Sequence, residues 1–165
     1  MALRSDWSEQ ACPIARSQDI LGDPWVIVIL REIFVGNNRF DSLKAELGIA
    51  DTVLSSRLQR MVEDGILAAH PYTGSARPRY EYRLTGRGEA TLPVLHALAR
   101  WGRDHTESPP PGTTLEVSCT TCGRAAESAD WCDVCRQPLT RANTGWRRAR
   151  APEVLIELAA VNSAD

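Results

Sequence analysis

The stretch ADTVLSSRLQRMVEDGIL, residues 50–67, decides the fold of this chain of 165 residues. Its apolar side chains recur at i, i+4, i+7 and i+8: Leu54, Leu58, Met61 and Val62. That spacing predicts one amphipathic helix, which Gly65 ends. Asp51 lies at or next to the N-cap, where a carboxylate favours the helix dipole. The helix should bury one face and leave a polar face in solvent.

Three further helices are predicted before this stretch. Residues 13–21 (PIARSQDIL) and 24–34 (PWVIVILREIF) read as two helices separated by a Gly-Asp-Pro breaker. The second is apolar on nearly every side, which is typical of a helix buried in the middle of a fold. RFDSLKAEL, residues 39–47, forms the third; Gly48 stops it, and one face carries Phe40, Leu43 and Leu47.

A hairpin is predicted after Leu67. In AAHPYTGSARPRYEYRL, residues 68–84, apolar and charged positions alternate along the second half, and Gly74 and Pro78 lie in the turn. Two short helices followed by a basic hairpin indicate a winged helix-turn-helix. The predicted fold class is therefore mainly α with a small β-hairpin wing, an α+β winged helix-turn-helix.

The remainder of the chain divides at a proline run. Residues 85–105 predict one longer helix with an apolar stripe, and SPPPG at 108–112 follows it. We predict four segments: a DNA-binding and dimerisation domain over 1–107, a linker over 108–113, a cysteine-containing domain over 114–140 and a tail over 141–165. The tail contains PEVLIELAAV, a short apolar helix or strand that the sequence does not place.

Composition narrows the class of protein. The net charge of −2 excludes a surface coated in positive charge but not a local basic patch. No apolar run reaches membrane length, and the first residues have no apolar core of a signal peptide, so we expect a cytoplasmic protein without a membrane partner. In a reducing cytosol, the five cysteines are not expected to form structural disulfides. Four therefore read as metal ligands.

The metal prediction comes from CTTCGRAAESADWCDVC, residues 119–135. Its two knuckles can present four thiolates to one tetrahedral ion: Cys119, Cys122, Cys132 and Cys135. Gly123 suits the tight turn after the first pair, because glycine accepts a positive φ. We predict a small four-cysteine zinc ribbon with a structural ion, while iron in a rubredoxin-like site would use the same ligands. A closed site of this kind cannot activate water.

Two other roles stay open for this segment. Oxidation of its thiols could release the ion and act as a switch. Alternatively, the segment could form a second DNA-contacting surface through its arginines: Arg124, Arg136, Arg147 and Arg148.

A winged helix-turn-helix binds DNA by placing its second helix in the major groove and its hairpin on the neighbouring backbone. Small hydroxyls and an amide that can approach base edges lie on the polar side of the helix: Thr52, Ser55, Ser56 and Gln59. Arginines are the predicted phosphate or guanine contacts: Arg39, Arg57, Arg60, Arg77, Arg79 and Arg83. The alternative is a solvated helix face and a hairpin that only edges a small core, because winged-helix folds also serve in protein contacts.

The residues carry a resemblance to a known family. The pieces CP at residue 12, DPW, RF at residue 39, VLSSRL, EDGIL, YEYRLT and Trp101-Gly102 resemble the HxlR-type regulators, a branch of the MarR-like winged-helix transcription factors. The similarity runs from about residue 12 to 105. It implies a homodimeric repressor on a palindromic operator, paired through the helices near 12–22 and 88–104. The stripe that fits this pairing is Leu92, Leu95, Leu98 and Trp101, unless it packs on its own domain.

The sequence departs from the family pattern at the start of the recognition helix, and the role of Cys12 stays open. Family members often have a serine cap and a proline at the start of the recognition helix, where this chain has Ala50 and Asp51; Asp51 would repel phosphate. Cys12 lies where several such regulators carry an oxidant-sensing thiol, and a helix start would favour its thiolate. The alternative is that Cys12 is a small apolar residue buried in the dimer interface. The signal that controls the regulator could be a small molecule or an oxidant.

We therefore predict a sequence-specific DNA-binding transcriptional regulator. The alternatives are a winged-helix and zinc-ribbon module for protein interaction, or a redox-sensing regulator that uses Cys12. An enzyme is not predicted, because the three histidines, His70, His96 and His105, form no triad or metal spacing. No glycine-rich phosphate loop follows a strand either.

Overall fold

The computed structural model of the chain describes residues 6–72, 79–107, 114–149 and 151–159. The chain forms two compact units, the first within residues 1–33 and 37–85 and the second within residues 34–36 and 86–165. The hairpin tip with Arg77 and the proline linker 108–113 lie outside the described residues. Within the described ranges, no helix has both the length and the apolar character needed to span a membrane.

The first unit consists of helices followed by a hairpin, in the predicted order. The elements are α1 Pro13–Leu21, α2 Pro24–Phe34, α3 Phe40–Leu47, α4 Asp51–Glu63, β1 Leu67–Tyr72 and β2 Arg79–Leu84. Only the last residue of α2, Phe34, belongs to the second unit. The prediction of a mainly α fold with a β-hairpin wing is confirmed.

The core of the first unit is built on α2. Four of its apolar side chains within this unit are at most 3% exposed: Val26, Ile29, Leu30 and Ile33. One residue of α3 and three of α4 are buried to the same extent: Leu43, Leu54, Leu58 and Met61. Each such side chain stabilises the fold by about 1.5–3 kcal/mol relative to exposure. The periodicity that predicted α4 thus marks its buried face.

A glycine separates the two helices of the helix-turn-helix. Gly48 follows α3 with a φ of 62°, and its N–H donates a 2.9 Å hydrogen bond to the carbonyl of Lys44. A residue with a Cβ would pay about 1–2 kcal/mol in this left-handed conformation. The predicted end of α3 is therefore confirmed, and the turn directs the chain into α4.

The wing is an antiparallel pair with an added bridge. Leu67 lies opposite Leu84, and Tyr72 lies opposite Arg79. The N–H of Tyr82 donates a 2.8 Å hydrogen bond to the carbonyl of Asn38, next to an isolated bridge between residues 39 and 81. The segment before α3 therefore extends the wing as a short third strand.

The second unit combines helices with small sheets. Its elements are α5 Gly86–Glu89, α6 Leu92–His105, β3 Glu116–Cys119, β4 Trp131–Cys132, β5 Gln137–Pro138, β6 Thr144–Arg148 and β7 Ala151–Glu157. The expectation of one continuous helix over 85–105 is wrong, because the helix breaks between Glu89 and Leu92. Pro93 lies in the first turn of α6 and lacks the N–H needed to continue a helix from α5.

Two sheets surround the cysteines. One has the order β3-β6-β7 with antiparallel neighbours, and the other pairs β4 with β5. The strand segments 144–148 and 151–157 belong to the stretch that the sequence set apart as a tail. They are the central strand and one edge of the larger sheet, so the structure places the apolar segment that the sequence did not.

The core of the second unit includes a buried aromatic cluster. Trp146 is fully buried, with its ring centroid 5.7 Å from that of Phe34 and 5.7 Å from that of His96. His96 lies on α6 and Trp146 on β6, so the helix packs with the sheet. The boundary between the two compact units accordingly falls between Thr85 and Gly86, whereas the sequence analysis set a boundary at the proline run.

Candidate nucleic-acid interface and metal centre

The polar face of α4 is exposed as the sequence indicated. The four side chains chosen there for base contacts are all exposed: Thr52, Ser55, Ser56 and Gln59. With Phe40 and Asp51 they line a shallow surface depression of about 560 Å³. The amide of Gln59 donates a 3.0 Å hydrogen bond to Glu63 on the next turn. This face therefore offers small hydroxyls and an amide on a helix whose other side is fixed in the core.

The two arginines of α4 contact acids of their own unit. Arg57 Nε lies 2.6 Å from an oxygen of Asp23, close enough for an ion pair although the N–H does not align as a hydrogen bond. Asp23 also accepts a 2.9 Å hydrogen bond from the N–H of Trp25 in the first turn of α2. Arg60 Nε donates to Asp64 at 2.9 Å. Both arginines were predicted as phosphate or guanine contacts, and each would have to exchange its acid for DNA.

Asp51 is neutralised locally. Its carboxylate lies 2.7 Å from Lys44 Nζ, and this hydrogen bond raises the pKa of Lys44 above its ordinary value. Ala50, at the N-cap, makes no side-chain cap. The repulsion of phosphate expected from Asp51 is therefore offset by a lysine on the preceding helix.

Arg39 joins the start of α3 to the wing. Its Nε donates a 2.9 Å hydrogen bond to Glu81 Oε1, and its guanidinium lies 4.5 Å from the ring centre of Tyr72. The hydrogen bond from Arg39 holds the pKa of Glu81 below its usual range, with a smaller contribution from Arg83. Within the chain Arg39 thus anchors the hairpin, and it would have to exchange Glu81 for DNA to make its predicted phosphate contact.

The remaining wing arginines are also paired. Arg83 lies 3.5 Å from Glu81, and Arg79 lies 3.4 Å from Asp41. All five arginines predicted to contact DNA within the described residues therefore have an acidic partner. Arg79 and Asp41 are both exposed, so this pair is worth only about 0–1 kcal/mol and can exchange for a phosphate, whereas the other four pairs each include a half-buried side chain.

Cys12 occupies the N-cap of α1 and is exposed. The backbone N–H of Ala15 lowers the pKa of its thiol, followed by that of Ile14, and Arg16 adds a smaller contribution. Cys12 is not buried within its own chain, and the alternative of burial in the dimer interface stays a prediction. A thiolate at this position is accessible to solvent.

The apolar stripe of α6 divides into two parts. Leu92 and Leu95 are 1% and 5% exposed, whereas Leu98 and Trp101 are 47% and 60% exposed. Val94, which the sequence analysis did not single out, is 40% exposed. Two of the four residues chosen for the dimer interface thus serve the core of their own unit. The later turns of α6 present the apolar surface.

The four cysteines come together as the sequence predicted. All four Sγ atoms lie within 4.8 Å of one another; Cys119 and Cys135 are 3.8 Å apart, and Cys122 and Cys132 are 3.7 Å apart. Zinc–sulfur bonds of about 2.3 Å in a tetrahedron place sulfurs about 3.8 Å apart. The cluster therefore has the size that a tetrahedral thiolate site requires. Its donor set can hold a metal ion.

The two knuckles share one backbone geometry. Gly123 has a φ of 70°, and its N–H donates a 2.8 Å hydrogen bond to the carbonyl of Cys119. Arg136 repeats the arrangement with a φ of 53° and a 2.8 Å hydrogen bond to Cys132. The prediction for Gly123 is confirmed, while Arg136 was missed because an arginine gives no sign of a left-handed conformation.

The thiols of the cluster titrate as an interacting set. Burial raises the pKa of Cys119, but hydrogen bonds from the backbone N–H of Cys122 and Thr121 outweigh it, and the pKa falls to about 6. The hydrogen bond with Cys122, together with burial, raises the pKa of Cys135 to about 12. Negative charge is thus favoured at Cys119, and a bound cation would displace the proton that Cys135 holds.

An exposed polar helix after a helical turn, followed by a hairpin wing, defines the winged helix-turn-helix class of DNA-binding proteins. Residues 20–109 match the model of the HxlR-like helix-turn-helix family. The uncharacterized HTH-type transcriptional regulator Rv3095 of Mycobacterium tuberculosis is 35% identical over 130 residues, which cover 79% of this chain and 81% of that protein. A regulator of the same description from Synechocystis, sll1512, is 38% identical over 97 residues, or 58% of this chain and 71% of that protein.

Solved structures agree with these relatives. The crystal structure of PA1607, a candidate transcription factor, superposes with a TM-score of 0.67 at 32% identity, covering 82% of this chain and 94% of that chain. A second candidate, PA1374 of Pseudomonas aeruginosa, gives a TM-score of 0.52 at 33% identity, covering 78% and 86%. The chain belongs to the HxlR-like helix-turn-helix family, whose members are transcriptional regulators rather than enzymes. The fold and family predictions are thereby confirmed.

Proposed function

We propose that the chain is a cytoplasmic, sequence-specific repressor that binds a palindromic operator as a homodimer. The observation that carries this proposal is the exposed polar face of α4, held by a buried opposite face and followed directly by the wing. Thr52, Ser55 and Gln59 would read base edges from this face. The wing arginines would exchange their carboxylate partners for backbone phosphates.

Exposed apolar residues on α6 support the dimer. Val94, Leu98 and Trp101 are each at least 40% exposed on one helix, a composition depleted in charge as expected at the centre of an interface. On α1, in the other unit, Ile14 is 72% exposed. The resemblance assigns pairing to these two helices, and a two-fold dimer would match a palindromic site.

Selection of genomic fragments with the full-length protein tests DNA binding, with affinity then measured over a range of salt concentrations. A recovered palindrome and an affinity that falls steeply with salt are expected. Arg79→Ala should weaken binding to all sequences and make the salt dependence shallower. Arg103→Ala is the matched control, because it removes another exposed arginine paired with an acid. An absence of enriched fragments would favour the protein-interaction module instead.

Gln59→Ala tests the base-reading role of α4 separately. It should lower affinity for the selected operator while leaving affinity for unrelated DNA unchanged, because a base contact carries sequence information and a phosphate contact does not. Equal loss on both kinds of DNA would contradict the assignment of Gln59 to base contact.

For the four-cysteine cluster we propose one structural zinc ion. The sulfur separations and the thiolate donors fit zinc, and bound zinc would supply the cross-link that lets so short a segment fold. Metal analysis of protein purified without added metal should give one zinc per chain. Iron would instead be recognised by visible absorption from sulfur-to-iron charge transfer.

A thiol switch at Cys12 is the second candidate function. It is favoured by the exposed position of the thiol and by its lowered pKa. With hydrogen peroxide as oxidant, the thiol would gain one oxygen atom as a sulfenic acid and release water. Peroxide should then change operator affinity in the native protein but not in Cys12→Ser. A response that persists in Cys12→Ser, with loss of metal, would assign the switch to the cluster.

A further inference from the structure

A buried histidine links α6 to the metal-binding segment. His96 is only 1% exposed, and both ring nitrogens have partners in the second unit. Nδ1 lies 2.7 Å from the carbonyl oxygen of Ala129, and Nε2 lies 2.9 Å from the indole Nε1 of Trp146. A carbonyl only accepts and an indole N–H only donates, so Nδ1 carries the proton and Nε2 does not. His96 is therefore neutral, in one defined tautomer.

One partner of His96 lies within the four-cysteine segment, and the other lies on a strand paired with it. Ala129 lies between the two knuckles, next to Asp130, whose carbonyl accepts a 2.8 Å hydrogen bond from the N–H of Leu139. Trp146 lies on β6 opposite Val117 of β3, the strand that ends at Cys119. The position of each knuckle thus determines the position of one partner of the imidazole.

A small core surrounds the cysteines. Its buried cluster consists of Cys119, Cys132 and Leu139, and the half-buried side chains packed against it include Cys122 and Cys135. All four proposed metal ligands are thus part of this core. A core of this size does not offset the chain entropy of folding without a cross-link, so the bound ion would hold the knuckles together. It would thereby fix Ala129 and support the strand pairing that places Trp146, which also packs in the aromatic cluster.

The helix that carries His96, α6, also carries the exposed apolar residues of the proposed dimer surface. Leu92 and Leu95 lie with His96 on its buried side, while Leu98 and Trp101 are exposed. We propose that a thiophilic divalent cation in the four-cysteine cluster positions α6 through His96 and thereby controls the apolar surface of that helix. His96 is a positioning residue and does not bind the ion. The consequence for dimerisation rests on the proposed function, whereas the coupling between cluster and helix does not.

Nitrogen-15 NMR of the full-length protein with labelled histidine tests the coupling directly. The chain has three histidines, and His70 and His105 are exposed, so they serve as internal controls. With zinc bound, His96 should show the neutral tautomer protonated at Nδ1. Removal of zinc by a chelator should move its signals to those of a solvent-exchanging imidazole, and added zinc should restore them. Unchanged His96 signals after complete zinc removal would overturn the proposal.

The effect on assembly is measured by sedimentation of zinc-loaded and zinc-stripped protein. Removal of zinc should weaken the dimer by about 5-fold to 150-fold, the usual range for coupled sites. Trp146→Phe removes the N–H donor but keeps an aromatic ring, and it should shrink this zinc dependence while one zinc still binds. Trp131→Phe, at an exposed tryptophan of the same segment, is the matched control and should behave as the native protein.

The two proposals fail in different ways. A protein that is monomeric with and without zinc, but whose His96 signals respond to zinc, refutes the proposed dimer and leaves the coupling in place. A dimer whose zinc dependence is the same in Trp146→Phe as in the native chain refutes the coupling. If Trp146→Phe does not fold, His96→Leu gives the same comparison, since its side chain can neither donate nor accept a hydrogen bond.

Discussion

The paired positions Gly123 and Arg136 provide the sharpest prediction about the metal centre. Both adopt a positive φ, and both donate a 2.8 Å hydrogen bond back to the first cysteine of their pair. A Cβ at Gly123 would meet nothing within 4 Å, so the cost of a side chain there is conformational only. That cost is about 1–2 kcal/mol, reduced by about 0.4–1 kcal/mol because glycine loses more freedom on folding. A net effect of about 1 kcal/mol is expected at each position.

Metal affinity reports this energy, because the ion binds the folded form of the segment. We expect Arg136→Gly to bind zinc about five times more tightly than Arg136→Ala, since about 1.4 kcal/mol corresponds to a factor of ten. Arg136→Ala is the appropriate reference because it removes the side chain while keeping a Cβ. Gly123→Ala should weaken zinc binding by a similar factor. Competition with a chromophoric chelator on the full-length protein measures all four affinities.

Equal affinities of Arg136→Gly and Arg136→Ala would refute the reasoning, because the positive φ would then carry no cost. The same would follow if Gly123→Ala bound zinc as tightly as the native chain.

Three further predictions concern the wing, α6 and pH. Glu81→Gln removes the carboxylate shared by Arg39 and Arg83. Affinity for unrelated duplex DNA should therefore rise, and the slope of log affinity against log salt should steepen by about 0.9 in anisotropy titrations. An unchanged slope would show that neither arginine reaches phosphate. Leu98→Asp should yield monomers in sedimentation, whereas Leu95→Ala should lower the free energy of unfolding by about 2–5 kcal/mol in urea without selectively dissociating the dimer. Burial lowers the pKa of His96 in the fold, so the unfolded chain binds the proton more readily. The free energy of unfolding should therefore decrease as pH falls below about 6.5. Urea titrations at several pH values should show a weaker decrease in His96→Gln.

Much of the candidate site could be predicted from local sequence. The helical period of residues 54–62 identified both the buried and the polar face of α4, because the same spacing determines which side chains share a face. The Cys-x-x-Cys pairs likewise identified the four cysteines that come together, since the chemistry of tetrahedral thiolate sites restricts their spacing. The positive φ of Gly123 followed from its place after the first pair.

The partners of charged residues could not be predicted in this way. Arg39 and Glu81 are distant in sequence, as are Arg57 and Asp23, yet each forms an ion pair. A count of arginines in the wing therefore overestimated the free positive charge of the surface. Long side chains choose partners by proximity in the folded chain, which periodicity does not report.

The sequence alone determined the class of fold, the exposed polar face of α4 and the four cysteines that come together, because each depends on spacing within one segment. Only the tertiary structure decided how residues from separate segments combine. It divided the stripe of α6 into buried Leu92 and Leu95 and exposed Leu98 and Trp101, and it enclosed His96 between Ala129 and Trp146. Burial and hydrogen bonding are properties of the surroundings of a side chain, and those surroundings exist only after distant parts of the chain have packed together.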